Sequence, residues 1–345
     1  MVKPEEFRAA LSEKSMRPLW DVMSNIVLPE PAPVAIPAIW EFSDVAPLLE
    51  EAGRLISAEE AERRVLVLEN PAMQGEVRIV DSLYAGMQLI LPGETAPAHR
   101  HSQSALRFVV EGEGAFTSVD GERAIMKPGD FIVTANWRWH DHGNETDAPM
   151  IWLDGLDIPI VDAFKATFAQ RHTEMRQETS RPSGYSEWRH GSGLSPVDEQ
   201  WDDLSSPQFH YPFARVREAL TGLADSGAPD PCHGYRMRYT NPSTGGWAMP
   251  TIAAYMTYFQ SGFSSKPYRS TESRVCIAVE GEGKVCLGGQ SFVWGPKDVF
   301  AIPAWTEFLM EAETDAFVFS FSDRAAQEKL GFFRQVAENR EVGVS

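Results

Sequence analysis

An internal duplication constrains this chain more than any other feature of its sequence. The run Glu-Gly-Glu-Gly stands at Glu111–Gly114 and again at Glu280–Gly283; at the same separation Gly93 falls on Gly262. After one deleted residue, Asp130 falls on Asp298 and Trp137 on Trp305. A chain that repeats itself over such a distance builds one unit twice. Both copies lie in short β-rich runs, such as AGMQLILPG, ALRFVVEGEG and APMIWLDGL, cut by Gly, Pro and Asp. That pattern predicts an antiparallel sandwich or barrel in each half, and hence an all-β fold. A length of 345 residues accommodates two such units with sizeable cores.

The β-rich blocks span residues 63–160 and 247–322. Residues 1–62 read as an N-terminal helical segment, with Pro4 and Pro18 able to open helices and Ser57 with Glu60 forming a capping box before the strand-like RRVLVLENP. Residues 161–246, polar and rich in Gly and Pro apart from a helical stretch at Phe213–Leu223, read as linker and covering structure. A last helix is expected over 323–345, through Ala326, Leu330 and Phe333.

A formal charge of −18 argues against nucleic acid or an anionic membrane as partner, because such a surface repels both. The N-terminus lacks the basic-then-apolar order of a signal peptide and no apolar run could span a bilayer, so a cytoplasmic protein is expected. Cys232, Cys276 and Cys286 have no short metal-ligand spacing, and three cysteines in a reducing compartment are expected as buried thiols.

The chemistry concentrates between residues 99 and 142, where four of the eight histidines lie, as His99-x-His101 and His140-x-His142. Alternate residues of a strand share a face, so each pair can offer two imidazoles to one ion. A single histidine there would more readily be a satisfied turn residue, but two H-x-H pairs in one β block favour a metal site.

Gly93, five residues, then His99-Arg-His101 resembles the first cupin motif; Pro128-Gly129-Asp130 followed by His140-Asp-His-Gly-Asn144 resembles the second. The fold expected is therefore a double cupin, two jelly-roll barrels with N-terminal, linker and C-terminal helices. In the second copy Tyr268, Ser270 and Phe308 stand where the three histidines would be, so one metal per chain is expected, in the first cupin. The glutamate that follows H-x-H in many cupins is missing: the neighbourhood reads SQSALRF. Three neutral imidazoles leave a divalent ion's charge uncompensated and coordination positions open, which favours an anionic, chelating substrate.

Across nearly the whole chain the wording APAHRHSQSALRFVVEGEGAFTSVDGE, NWRWHDHGNE and WLDGLDIP resembles the gentisate 1,2-dioxygenase family, with its salicylate and 1-hydroxy-2-naphthoate relatives. The resemblance implies iron(II) held by His99, His101 and His140, chelation of an aromatic acid by carboxylate and adjacent hydroxyl, ring opening by O2 to give maleylpyruvate from gentisate, and a homotetramer. It makes His142 an acid/base or substrate contact beyond the ligands and Asp154 its matching carboxylate, able to orient it and raise its pKa if they pair. Arg63 resembles the family's second arginine, with Arg64 the competing assignment.

Arg107 shares parity with His99 and His101, so a regular strand would turn it into the same cavity, where its fork can hold a carboxylate by two hydrogen bonds. The alternative is an outward surface arginine. Tyr84, Gly86 and Gln88 share one strand face: Gln88 for the substrate's polar edge, Tyr84 for its ring or hydroxyl, Gly86 for room, against the alternative of plain barrel packing. Three rivals to gentisate cleavage are a relative acting on salicylate or 1-hydroxy-2-naphthoate, a non-catalytic metal-binding bicupin, and a zinc-dependent isomerase or hydrolase.

Overall fold

A computed structural model describes residues 3–198, 201, 203–337 and 340–342. The chain forms two compact units, Met1–Ala32 and Pro33–Ser345. The small unit holds a helix over Pro4–Glu13, a short helical turn at Leu19–Asp21 and a one-turn helix at Met23–Ile26.

The large unit contains both cupins, each built from two antiparallel sheets. In the first cupin one sheet runs in the order His210–Tyr211, Phe131–Thr134, Ala105–Glu111, Met150–Leu156, Tyr84–Ile90, Arg64–Val67. The other runs Ala169–Arg171, Thr95–His101, His140–Gly143, Phe116–Val119, Glu122–Ile125. The second cupin repeats the first order as Ala38–Trp40, Val299–Ile302, Arg274–Glu280, Ala316–Ser322, Ala253–Phe259, Tyr235–Arg238. The edge strands are exchanged: Ala38–Trp40, ahead of the first cupin, pairs with Val299–Ile302, while His210–Tyr211, from the covering segment, pairs with Phe131–Thr134.

One apolar core runs through both cupins, with Phe108 stacked on Phe319 at 4.2 Å between ring centroids. The strands that meet there are buried on both faces, so they read as unbroken apolar runs such as Ala316-Phe-Val-Phe and not as alternation. Cys232 and Cys276 are buried, whereas Cys286 is only half-buried.

Two local expectations change. The run VRIVDSL at Val77–Leu83 reads as a strand of the first β-rich block but is a turn held by a Val80–Leu83 bridge, because Val77 adopts φ 59° and breaks the extended run. The C-terminal helix is short, Arg324–Leu330, ended by Gly331 in the left-handed region at φ 73°. Beyond it Gln335–Ala337 pairs with Tyr268–Ser270, and residues 338, 339 and 343–345 of the expected helix lie outside the described residues.

A reciprocal clasp joins the cupins. Asp157 and Asp323 follow the last strand of each; Asp157 accepts from Ser104 N (2.9 Å) in its own cupin and from Thr251 Oγ1 ahead of the other. Asp323 accepts from Ser273 N (3.0 Å) in its own and from Ser82 Oγ (2.6 Å) ahead of the first. Burial pushes both carboxyls up, Asp157 to about 6 and Asp323 to about 7. The folded chain therefore holds these protons more tightly than the unfolded one, so their contribution to stability is complete below the ordinary carboxyl range and is lost progressively as pH climbs from there through 6 and 7. The melting temperature is expected to fall by a few degrees between about pH 5 and about pH 7, and Asp323→Asn, which mimics the protonated acid, to flatten that slope. An unchanged slope in calorimetry would contradict this.

Candidate active site

The three histidines come from two neighbouring strands of one sheet. His99 and His101 lie two apart on Thr95–His101, and His140 is registered opposite His99 on the adjacent strand. Each ring is fixed from behind, since each Nδ1 meets a backbone carbonyl: Pro97 at 2.8 Å for His99, Gln103 at 2.9 Å for His101, Arg138 at 2.9 Å for His140. With Nδ1–H donated, every Nε2 keeps its lone pair, and one ligand atom from each ring can lie within 4.8 Å of the others. His140 Nε2 is buried without a partner.

Burial, aided by nearby arginines, holds the imidazoles neutral: His99 is pushed down to about 3, His101 to about 4, and His140 well below its usual value. Neutral imidazole is the form a metal binds. Neutral, pre-oriented nitrogens with no carboxylate among them, one of them without any protein partner and another, His99 Nε2, met by the Arg63 guanidinium, fit a divalent transition metal that keeps open positions.

The opposing sheet supplies the other wall. Its ladder aligns Gly86 with Asp154 and Asp154 with Arg107, so these positions share one face with Tyr84 and Gln88 on alternate residues. Arg107 reaches the cavity for a different reason from strand parity: the chain turns between His101 and Ala105, placing Arg107 in the facing sheet. Its guanidinium is buried, donates to Thr134 Oγ1 (3.0 Å) and lies 3.3 Å from Asp154 Oδ1. Burial pushes it down to about 10, still a cation near neutrality.

Adjacent arginines point opposite ways. Arg64, itself buried, turns away from the cavity to Glu94 (2.7 Å) and the Ile56 carbonyl (2.7 Å), whereas Arg63 sets Nη2 against His99 Nε2, the nitrogen that faces the metal centre. Tyr84 folds over Gly86, where an added Cβ would sit 2.7 Å from the Tyr84 hydroxyl. Gln88 Oε1 and His142 Nε2 are buried acceptors without a partner.

One expectation fails. Asp154 does not meet His142: its Oδ1 faces Arg107 and accepts from Trp152 Nε1 (3.2 Å). His142 Nδ1 instead contacts Thr117 Oγ1 at 2.9 Å, and burial with Arg107 pushes its pKa well down, opposite to the rise that an aspartate partner would cause. Of two buried candidates, the carboxylate goes to the permanent cation.

Residues 86–156 match the cupin domain family model. The chain is 51% identical to gentisate 1,2 dioxygenase 1 of Aquipseudomonas alcaligenes over 331 residues, covering 96% of this chain and 95% of that one. The chain belongs to the gentisate 1,2-dioxygenase family. Its members include more distant relatives, among them a 5-aminosalicylate 1,2-dioxygenase of a Comamonas species, 35% identical over 95% of this chain and 88% of that one. The crystal structure of salicylate 1,2-dioxygenase from Pseudoaminobacter salicylatoxidans as adducts with gentisate superposes with a TM-score of 0.92 at 34% identity, covering 99% of this chain and 96% of that one. Like the enzymes of this family, the protein is a ring-cleaving dioxygenase built as a bicupin.

Thr117, Thr134 and Trp152 position His142, Arg107 and Asp154 and were not found from sequence. The register pairs Thr117 directly with His142, but nothing in the sequence announces that pairing.

Proposed function

We propose that the protein is an iron(II)-dependent gentisate 1,2-dioxygenase that converts gentisate and O2 to maleylpyruvate, with the metal held by His99, His101 and His140 in the first cupin and none in the second. The observation that carries this reading is the convergence of three carbonyl-anchored imidazoles, without a carboxylate, in a cavity walled by two arginines. When bound, iron(II) supplies electrons for O2 and coordination sites for the substrate's carboxylate and adjacent hydroxyl.

The chain's own groups do the rest. Among the described residues, Asp154 is the carboxylate between Arg63 and Arg107, and Glu62 beside Arg63 is paired with Arg171, so the cavity carries surplus positive charge suited to an aromatic acid. The Arg63 guanidinium, at the metal centre, draws in the carboxylate, and Arg107, held by Asp154 and Thr134, fixes its plane. Gln88 Oε1 accepts from a ring hydroxyl, and Tyr84, over Gly86, borders the ring. His142, with Nδ1–H donated to Thr117 Oγ1, presents Nε2 as the acceptor for the proton of the substrate hydroxyl next to the carboxylate. Family resemblance extends the reading to a homotetramer, which light scattering on the purified protein tests.

The test is oxygen uptake by the iron-loaded enzyme with gentisate, salicylate and 1-hydroxy-2-naphthoate. Gentisate should give the highest kcat/KM; a higher value with either of the others would move the assignment within the family. His142→Ala should keep its metal and lose turnover about a hundredfold. Since Asp154 serves Arg107, its replacement by Asn should act on KM, and the two losses should add.

A further inference from the structure

The second barrel keeps a residual hole where the first has its active site. By matching ladders, Gly86–Asp154–Arg107 corresponds to Tyr255–Ser320–Cys276, and the pair His99–His140 to Tyr268–Phe308. At this place lies a cavity of about 20 Å³, bordered by His233, Arg236, Arg274, Cys276, Phe308 and Ser320. Two guanidiniums reach it from positions that are apolar in the first cupin, Arg236 matching Val65 and Arg274 matching Ala105.

The charges lining this cavity and next to it do not balance. Glu272 is committed to Arg274 Nη2 (2.5 Å) and Ser322 Oγ (2.7 Å), and Arg324 pairs with Glu328 at 2.7 Å. Arg236 lies 4.8 Å over the Tyr255 ring; its Nη1, with Arg274 Nε and the Tyr255 hydroxyl, is buried without a hydrogen-bond partner. The remaining titratable groups add no negative charge. Burial and the arginines keep His233 neutral, burial pushes the Cys276 thiol up to about 12, and the Tyr255 and Tyr268 phenols are raised as well. Asp323, raised to about 7 and bonded to Ser82 and Ser273, belongs to the clasp between the cupins. One guanidinium charge, that of half-buried Arg236, is left over at the cavity, with its Nη1 shielded from water. A shielded cationic group without a counter-charge is costlier than a paired one.

We propose that this cavity is an anion site, taking a single halide-sized monovalent anion such as chloride between Arg236 and Arg274. Its volume holds about one water-sized occupant, so the site is closed to an aromatic acid and is independent of the reaction in the first barrel. The anion completes the charge balance of a barrel that has lost its metal positions.

The test uses bromide in place of chloride on the full-length protein. Crystals grown in bromide should show an anomalous peak in the cavity between the two arginines. In solution, melting temperature should rise saturably by roughly 2 to 4 °C in chloride or bromide over gluconate at equal ionic strength. Arg236→Met, which removes the surplus charge, should melt at the same temperature in both salts. Absence of a cavity peak together with equal wild-type melting in halide and gluconate overturns the proposal. So does a halide response that survives intact in Arg236→Met.

Discussion

His140→Ala should yield a folded protein that binds almost no iron and has lost activity more than a hundredfold. His140 is fully buried and its Nε2 has no protein partner, so its removal deletes a ligand and relieves a stranded polar atom at once. Replacing a group that merely orients a ligand already costs tenfold to a hundredfold in metal affinity or activity, and loss of the ligand itself should exceed that. His99→Ala and His101→Ala should behave alike, and the triple variant should hold no metal, because Tyr268, Ser270 and Phe308 offer none of the imidazoles in the second barrel. Elemental analysis and circular dichroism on each variant separate loss of metal from loss of fold. A triple variant that retains stoichiometric metal and activity would refute the placement.

Arg107→Ala should have the largest effect on stability among the site variants and a large one on substrate binding. Its partner Asp154 is 5% exposed, so removing the guanidinium strands a carboxylate in the core, a loss of about 3 to 5 kcal/mol when a buried pair is broken from one side. A lost charge-assisted contact to the substrate adds about 1.5 to 3 kcal/mol, or roughly a tenfold to hundredfold rise in KM. Both effects are expected with the metal retained. Asp154→Asn in the Arg107→Ala background should restore part of the stability and none of the affinity, since it removes the stranded charge but returns no fork. If the double variant were less stable than Arg107→Ala alone, the ion pair would not be what holds this wall.

The fold was legible where the information is local or periodic. The Glu-Gly-Glu-Gly repeat exposed two like units, and alternation along a strand put His99 and His101 on one face. What the sequence hid is cross-chain register. Arg63 and Arg64 are equivalent as text; only the placement of Glu94 and the Ile56 carbonyl sends Arg64 away from the cavity. The same blindness affected Asp154, which the resemblance matches with His142, whereas the ladder aligns it with Arg107. Arg107 was assigned to the cavity by parity with the histidines, a reason that fails because a turn separates the strands, although the facing sheet brings it there. The exchanged edge strands are too short to carry a periodic signal: Ala38–Trp40 has three residues and His210–Tyr211 two.

Anaerobic reconstitution with iron(II), metal counting, and then addition of gentisate with a measured amount of O2 asks whether one metal held in the first cupin supports ring opening of a chelating aromatic acid. The expected result is one iron per chain, one O2 consumed per gentisate, and the ring-opened product, none of which appears in the His99, His101 and His140 triple variant. Gentisate left intact by fully loaded protein, or turnover undiminished in the triple variant, would contradict that role of the metal.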